Sequence, residues 1–271
     1  MKKIEINRKT DILLAIPLII YLVVSGISHF LGDSHNLFGN FAFIFFVVIH
    51  GILRYGVRNF VAFFILTFII SWTTETLSIA YGFPFGNYHY SDILGFKLGT
   101  VPLMIMIAYF ITGYLAWTLS STFLGNFGKS IEKRNVLLLP FIAGFIMVMW
   151  NFCFDPILST IHATWIWEDG GYYFGVPLSN YFGWYLTVYL IYQVYALYLY
   201  KFVANDELGE TKLFWYFPAI CYFGVALEYL IGPFFQTANL DIYWSMFLAA
   251  VFTMVFTTIL NLILVQRSKF E

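Results

Sequence analysis

The chain alternates long apolar stretches with short polar connections. Eight apolar stretches can be drawn, at residues 12–31, 37–53, 59–81, 101–124, 135–158, 181–203, 213–234 and 242–266. Most are close to the roughly 20 residues that a helix needs to cross the hydrocarbon core of a bilayer. The pattern therefore predicts an all-α, polytopic integral membrane protein, with about eight transmembrane helices forming a single domain over residues 1–271.

Composition agrees with a membrane location. Hydrophobic residues make up 61% of the chain and charged residues only 11%, against about 25% charged in an ordinary soluble domain. The 14 basic and 15 acidic residues nearly balance, which leaves no basic surface for nucleic acid and no acidic tail. We therefore expect membrane lipids, and not nucleic acid, around this protein.

The positions of the basic residues predict the orientation. Loops that hold lysine and arginine stay on the cytoplasmic side of a membrane. With eight helices and a cytoplasmic N-terminus, every lysine and arginine except Lys97 falls on the cytoplasmic side. Seven or nine helices would destroy this segregation. We therefore expect a multi-pass protein of the cell membrane with both termini in the cytoplasm.

Two outer loops, at 82–99 and 159–180, are rich in aromatic and glycine residues. Each follows a helix that carries an acid, Glu75 in the third helix and Asp155 in the fifth. Each also leads into a Val-Pro-Leu sequence, in which we expect the proline to occupy the first turn of the next helix. The same order of features thus occurs twice in the same orientation, which indicates a parallel internal repeat.

Three carboxylates lie within apolar stretches: Glu75, Asp155 and Glu228. All three belong to helices that run outward, at similar depth, so we expect them to converge in the outer half of the membrane. An apolar surrounding favours the neutral form of a carboxyl group, which makes these acids candidate proton donors. Asn151 precedes Asp155 by four residues and is placed to orient it. For Glu228, a hydrogen bond to a neighbouring helix is an equally good interpretation.

The aromatic residues near these acids have two interpretations. Tryptophan and tyrosine gather at membrane interfaces whatever the function. Mixed with glycines that allow tight turns, the same rings would also line a cavity and stabilise a carbocation by cation–π attraction. On the second interpretation the candidate catalytic residues are Glu75, Asp155 and Asn151, and the candidate substrate-binding residues are Tyr88, Tyr90, Trp150, Trp165, Trp167, Tyr173, Asn180, Trp184 and Glu228.

Several patterns of cofactor chemistry do not occur in the sequence. It has no glycine-rich nucleotide fingerprint, no histidine cluster typical of a di-iron oxygenase and no serine-centred elbow. Cys153 and Cys221 lie within apolar stretches and indicate neither a disulfide framework nor a zinc site. We therefore expect neither a cofactor nor a metal.

The loops resemble a known family. The resemblance is carried by Glu75, by Gly-Phe-Pro-Phe-Gly-Asn-Tyr-His-Tyr at 82–90, by Gly-Thr-Val-Pro-Leu at 99–103, by Asp-Pro at 155–156, by Trp-Ile-Trp at 165–167 and by Gly-Gly-Tyr-Tyr-Phe-Gly-Val-Pro-Leu-Ser-Asn-Tyr-Phe-Gly-Trp at 170–184. Over about residues 70–190 these segments resemble the CruF-type carotenoid biosynthesis proteins, the bisanhydrobacterioruberin hydratase-like family. Beyond them the flanking helices match only in hydropathy.

The resemblance implies an activity and its partners. Members of this family add water to the terminal isoprene double bonds of long acyclic carotenoids, which gives tertiary alcohols and requires no redox cofactor. The implied substrate is a carotenoid within the bilayer, and other enzymes of carotenoid biosynthesis are implied partners. The family pattern has aspartate where this chain has Asn151 and tryptophan where it has Tyr109. If the aspartate that the family has at the position of Asn151 is the proton donor, this chain is altered in activity or substrate. If Asp155 is the donor, Asn151 suffices to orient it.

The hypothesis is acid-catalysed hydration, in which Asp155 or Glu75 protonates the alkene and the other acid positions or deprotonates water. A lycopene-cyclase-like enzyme would begin from the same cation and close a ring. An isoprenoid transferase is suggested by the spacing of Asn151 and Asp155, but the outer side offers only Lys97 to a diphosphate. A membrane protein that binds carotenoid without catalysis is the third alternative.

Overall fold

The computed structural model describes residues 8–31, 37–204 and 211–268. Both termini, which the charge pattern predicts to be cytoplasmic, lie outside these ranges. The helices are α1 (Arg8–Leu31), α2 (Leu37–Tyr81), α3 (Leu103–Phe123), α4 (Asn135–Asp155), α5 (Leu178–Phe202), α6 (Lys212–Phe235), α7 (Leu240–Ala250) and α8 (Phe256–Arg267).

Within these ranges, six helical segments are long and apolar enough to cross a membrane. They are Arg8–Ile27, Phe38–Tyr81, Leu103–Phe123, Asn135–Ile161, Lys212–Phe235 and Leu240–Arg267. The protein is therefore a mostly helical membrane protein. Helix α5 is long enough as well, with 25 residues, but it is rich in tyrosine, which lowers its hydropathy.

The stretches at 37–53 and 59–81 are predicted as separate helices, but in the structure they form one helical element, α2, with no loop between them. The interruption is confined to Gly56, whose φ of 74° and ψ of 160° are open to glycine alone. Gly51 and Phe60 are nine residues apart and would be separated by about 13.5 Å along a straight helix. In the structure they are in contact, because a Cβ atom on Gly51 would overlap the ring of Phe60. The chain therefore folds back on itself at Gly56, and α2 is a tight pair of helical segments.

Two π-helical turns also change the predicted boundaries. Helix α4 ends at Asp155 and continues as a π-helical turn over Pro156–Ile161, so the outer loop predicted from residue 159 begins later. Pro156 has no N–H to donate to the preceding turn, which favours the change of register. A second such turn, Val251–Val255, joins α7 to α8.

The outer loops contain short strands, an addition to the predicted all-α fold. The strands are β1 (Tyr88–Tyr90), β2 (Lys97–Leu98), β3 (Val101–Pro102) and β4 (Trp165–Trp167). Strands β1 and β4 form an antiparallel pair centred on His89 and Ile166, so the two predicted loops are joined to each other. Pro102 and Pro177 each stand just before the first helical residue rather than in the first turn, because both are in extended conformation.

A buried polar cluster around Arg54 joins three helices. The Arg54 side chain is fully buried and donates to Thr118 Oγ1 and to the Asn126 carbonyl, each over 3.2 Å. Its guanidinium also lies 4.7 Å from the ring of Tyr55 and 4.5 Å from that of Trp215. Arg54 therefore links α2, α3 and α6 by hydrogen bonds and cation–π contacts.

Candidate active site

A narrow cavity lies beneath the paired strands β1 and β4. Helices α2, α3, α4 and α5 supply most of its walls, and the two outer loops supply the rest. The lining residues are Glu75, Phe85, Tyr88, Tyr90, Ile105, Ala108, Trp150, Phe154, Asp155, Trp165, Trp167, Asn180 and Trp184. Nine of the twelve residues predicted for the site therefore meet around one cavity.

Glu75 lies two turns before the end of α2 and is 3% exposed. Its carboxylate accepts hydrogen bonds from three phenols. Tyr88 and Tyr90 donate to Oε2, the latter over 2.8 Å, and Tyr109 donates to Oε1 over 2.9 Å. Strand β1 makes this possible, because its alternate residues 88 and 90 face the same side. The three donors fix the carboxylate in one position.

The two phenols from the loop remain hydrogen-bond donors. Burial, reinforced by the neighbouring Glu75 carboxylate, raises the pKa of the Tyr88 and Tyr90 hydroxyls well above their usual value. Both groups therefore keep their protons at neutral pH, and neither serves as a base there.

Asp155 ends α4 at the opposite wall and is 1% exposed. The Asn180 side-chain amide donates to its Oδ2 and lies 3.4 Å from Asn151 Oδ1. Asn151 is fully buried, but it stands behind Asn180 and is not among the lining residues. The structure thus places Asn151 next to the pair formed by Asn180 and Asp155, outside the cavity lining.

Aromatic rings close the space between the two acids. Trp150 packs on Phe154 with ring centroids 4.3 Å apart and meets Trp184 edge-on at 5.8 Å. Trp184 in turn stacks on Tyr109 at 4.2 Å with only 5° between the planes. Trp165 and Trp167 reach the cavity from β4. Any positive charge that forms between the acids is thus surrounded by electron-rich ring faces.

The indole N–H of Trp167 is buried without a hydrogen-bond partner. Because Trp167 lines the cavity, this donor is available to an oxygen atom of a bound molecule. A buried donor without a partner costs free energy, which a ligand oxygen would recover.

Glu228 and Tyr173 do not belong to this site, contrary to the sequence prediction. Glu228 lies on the face of α6 that packs against α1 and borders a separate small cavity. Tyr173 packs against Phe152 and Tyr181, and its hydroxyl is 4.0 Å from Met246 Sδ. The prediction of three converging acids relied on depth alone, and depth does not fix the rotation of a helix about its axis.

Five further side chains contribute to the site without having been predicted. Phe85 lies within the glycine-rich loop motif, and Tyr109 occupies the same place after Val-Pro-Leu as Trp184, so the sequence contains a signal for both. Ile105, Ala108 and Phe154 are ordinary apolar residues of helices and carry no such signal. They border the cavity only because of helix packing.

No group of three or more histidine, cysteine, aspartate or glutamate side chains within residues 8–31, 37–204 and 211–268 is arranged to hold a metal ion. The side chains around the cavity supply two carboxyl groups, phenol and amide donors, and aromatic faces.

Taken together, the fold and the cavity define a helical membrane protein with paired acids in an aromatic site. The profile of the carotenoid biosynthesis protein family matches residues 35–260. The chain belongs to this family, which confirms the resemblance carried by the loop motifs. The match also extends well beyond residues 70–190, into the helices that flank the loop motifs.

A curated relative is bisanhydrobacterioruberin hydratase from Haloarcula japonica, which is 32% identical over 120 residues. This alignment covers 44% of the present chain and 39% of the relative's length. No solved structure matches the chain.

Proposed function

We propose that this protein is a carotenoid hydratase that adds water to the terminal isoprene double bonds of a long acyclic carotenoid and gives tertiary alcohols. Membership of the carotenoid biosynthesis family and the similarity to a hydratase support a reaction of this kind. The observation that carries the proposal is the pair of buried acids, Glu75 and Asp155, which face one aromatic cavity with different hydrogen-bond partners.

The hydrogen bonds support different roles for the two acids. Donors to a carboxylate stabilise its ionised form. Glu75 receives three phenol donors, whereas Asp155 is contacted by the side-chain amides of Asn180 and Asn151. Two nearby carboxyl groups in an apolar site do not both ionise readily. Asp155 is therefore the proton donor, and ionised Glu75 receives the proton of the attacking water.

The reaction follows from these positions. The Asp155 carboxyl transfers its proton to the less substituted carbon of the terminal C=C bond, and the more substituted carbon becomes a tertiary cation. Trp150, Trp165 and Trp184 stabilise this cation through their ring faces. Water adds to the cation and gives a proton to Glu75, and the tertiary alcohol results. Transfer of a proton from Glu75 back to Asp155 restores the site.

The net change is the addition of one water molecule for each hydrated end. No electrons enter or leave, so the reaction needs no redox cofactor. The unpaired Trp167 N–H is a suitable donor to the oxygen of the water or of the product alcohol.

The proposed topology has eight membrane crossings. They are α1, the two halves of α2 on either side of Gly56, α3, α4 with its π-helical turn, α5, α6, and the continuous run from α7 to α8. The protein lies in the cell membrane with both termini in the cytoplasm. This arrangement leaves the lysines and arginines on the cytoplasmic side, except for Lys97 on the opposite side. The cavity then lies in the outer half of the bilayer.

Isotope labelling tests the proposal directly. The purified protein in liposomes is given an acyclic carotenoid in water labelled with heavy oxygen. A hydratase places the label in the product alcohol, whereas a cyclase leaves the mass of the carotenoid unchanged and a carotenoid-binding protein returns it unaltered. Asp155→Asn and Glu75→Gln should lose the activity. Glu228→Gln is the matched control, since Glu228 borders a different cavity.

A further inference from the structure

Two contacts mark an axis of pseudo-symmetry through the cavity. Strands β1 and β4 pair Tyr90 with Trp165, which are 75 residues apart in the chain, as the two Val-Pro-Leu sequences are. The rings of Tyr109 and Trp184, each six residues after the leucine of a Val-Pro-Leu sequence, stack on each other. Corresponding residues of two repeats meet each other only on a two-fold axis. The cavity lies between these two contacts and therefore on that axis.

The same alignment pairs the residues of the cavity wall. Aligning the two Val-Pro-Leu sequences places Ile105 on α3 opposite Asn180 on α5, and Ala108 opposite Gly183. In a symmetric site, α3 and α5 would close or open the cavity in the same way. A difference between these two walls therefore shows which of the two helices leaves the cavity more open.

The wall at α5 is closed. Gly183 is buried, and a Cβ atom on it would lie 2.7 Å from the Pro84 carbonyl oxygen and 2.8 Å from Phe85 Cδ1. The loop after α2 therefore packs directly on the backbone of α5. Phe85 borders the cavity on this side and is 1% exposed.

The wall at α3 differs. Ala108 borders the cavity and is partly exposed. It shares a helix face with Met104, one turn earlier, which is 45% exposed. Ile105 and Phe154, which also border the cavity, are partly exposed as well. All four side chains are apolar, so this edge of the cavity presents hydrocarbon to the bilayer.

We propose that the gap beside Ala108, between Ile105 on α3 and Phe154 on α4, is the portal through which the acyclic end of the carotenoid enters the cavity from the bilayer. This inference rests on the proposed function. A hydrocarbon chain dissolved in lipid passes this gap without contact with water, and the small side chain of Ala108 leaves room for the methyl branches of an isoprenoid. The size of residue 108 thus determines access.

Chemical labelling tests the portal in folded protein. Ala108→Cys introduces a thiol at the gap, while the native Cys153 and Cys221 are fully buried and poorly accessible to a maleimide. Folded, monodisperse protein is labelled with a small or a bulky aromatic maleimide. Ala80→Cys, at an exposed position of α2 outside the cavity, is the matched control. Carotenoid retained by the protein is measured by visible absorbance, and hydration by mass spectrometry.

If this gap is the portal, the bulky label on Ala108→Cys lowers both carotenoid uptake and hydration by about tenfold or more. The small label has less effect. Uptake and hydration by labelled Ala80→Cys are unchanged. Ala108→Phe should behave like the bulky adduct. Undiminished uptake in bulky-labelled Ala108→Cys would overturn the portal. If the wild type takes up carotenoid but forms no alcohol, the proposed function fails, while loss of uptake on labelling would still support the portal. No uptake by the wild type would contradict both.

Discussion

The rings of Tyr109 and Trp184 lie in nearly parallel planes, 5° apart, with their centroids separated by 4.2 Å. The Tyr109 hydroxyl donates to Glu75 Oε1 over 2.9 Å. A single side chain thus joins the inner end of the cavity, formed by Trp184, to one of the two acids. The position of Glu75 depends on aromatic packing between α3 and α5 as well as on its own helix.

Tyr109→Phe should lower kcat with little change in KM. The substitution keeps the ring stack and removes one of the three donors to Glu75, a loss of about 1.4 kcal/mol or roughly tenfold in rate. Steady-state kinetics with the carotenoid in liposomes measure the change. Tyr192→Phe is the control, because the Tyr192 hydroxyl donates to the Gly113 carbonyl away from the site. An equal loss in both variants would point to a general structural effect.

Asn180→Ala should reduce activity more than Asn151→Ala. Asn180 donates to Asp155 and borders the cavity, whereas Asn151 contacts Asn180 and lies outside the cavity lining. We expect a loss of about 10- to 100-fold for the first variant and a smaller loss for the second, compared as kcat at saturating substrate. The reverse order would show that Asn151 acts on the substrate itself.

Trp184→Leu should lower kcat by about threefold to thirtyfold, since a ring facing a cation contributes about 0.5–2 kcal/mol. Trp184→Phe keeps a ring face and should retain more of the activity. Relative rates of the two variants distinguish stabilisation of a cation from simple packing, because both substitutions make the side chain smaller. Equal activity in the two variants would remove the support for a cationic intermediate beside Trp184.

Gly56→Ala should destabilise the fold by about 1–3 kcal/mol, because alanine strains at the φ and ψ of this residue. Gly26→Ala is the matched control: a Cβ atom there has no atom within 4 Å, and its backbone does not adopt positive φ. Thermal unfolding of the purified proteins in detergent compares them. Similar melting temperatures for both variants would contradict the fold-back at Gly56.

Much of the molecule can be predicted from the sequence, for definite reasons. Carboxylates in apolar helices, such as Glu75 and Asp155, stand out because burying them is costly. The aromatic loops stand out because glycines and rings recur in both. The grouping of Glu228 with the site was wrong, since the sequence gives the depth of a residue but not the side of the helix that packs against α1.

The remaining features depend on tertiary structure. The pairing of β1 with β4 joins loops that are 75 or more residues apart in the chain, and three-residue strands leave too short a pattern to reveal it. Ala108 has no property that marks it in the sequence. Its place at the edge of the cavity follows from the packing of α3 beside α4, as does the position of Asn151 behind Asn180.

The most direct test of the central claim is mass spectrometry of the carotenoids from a host that makes an acyclic carotenoid and expresses this protein, with Asp155→Asn as the comparison. The account predicts new products heavier than the substrate by one or two water molecules in the wild type, and their loss in the variant. Carotenoids of unchanged mass in the wild type, or the same alcohols in both strains, would contradict it.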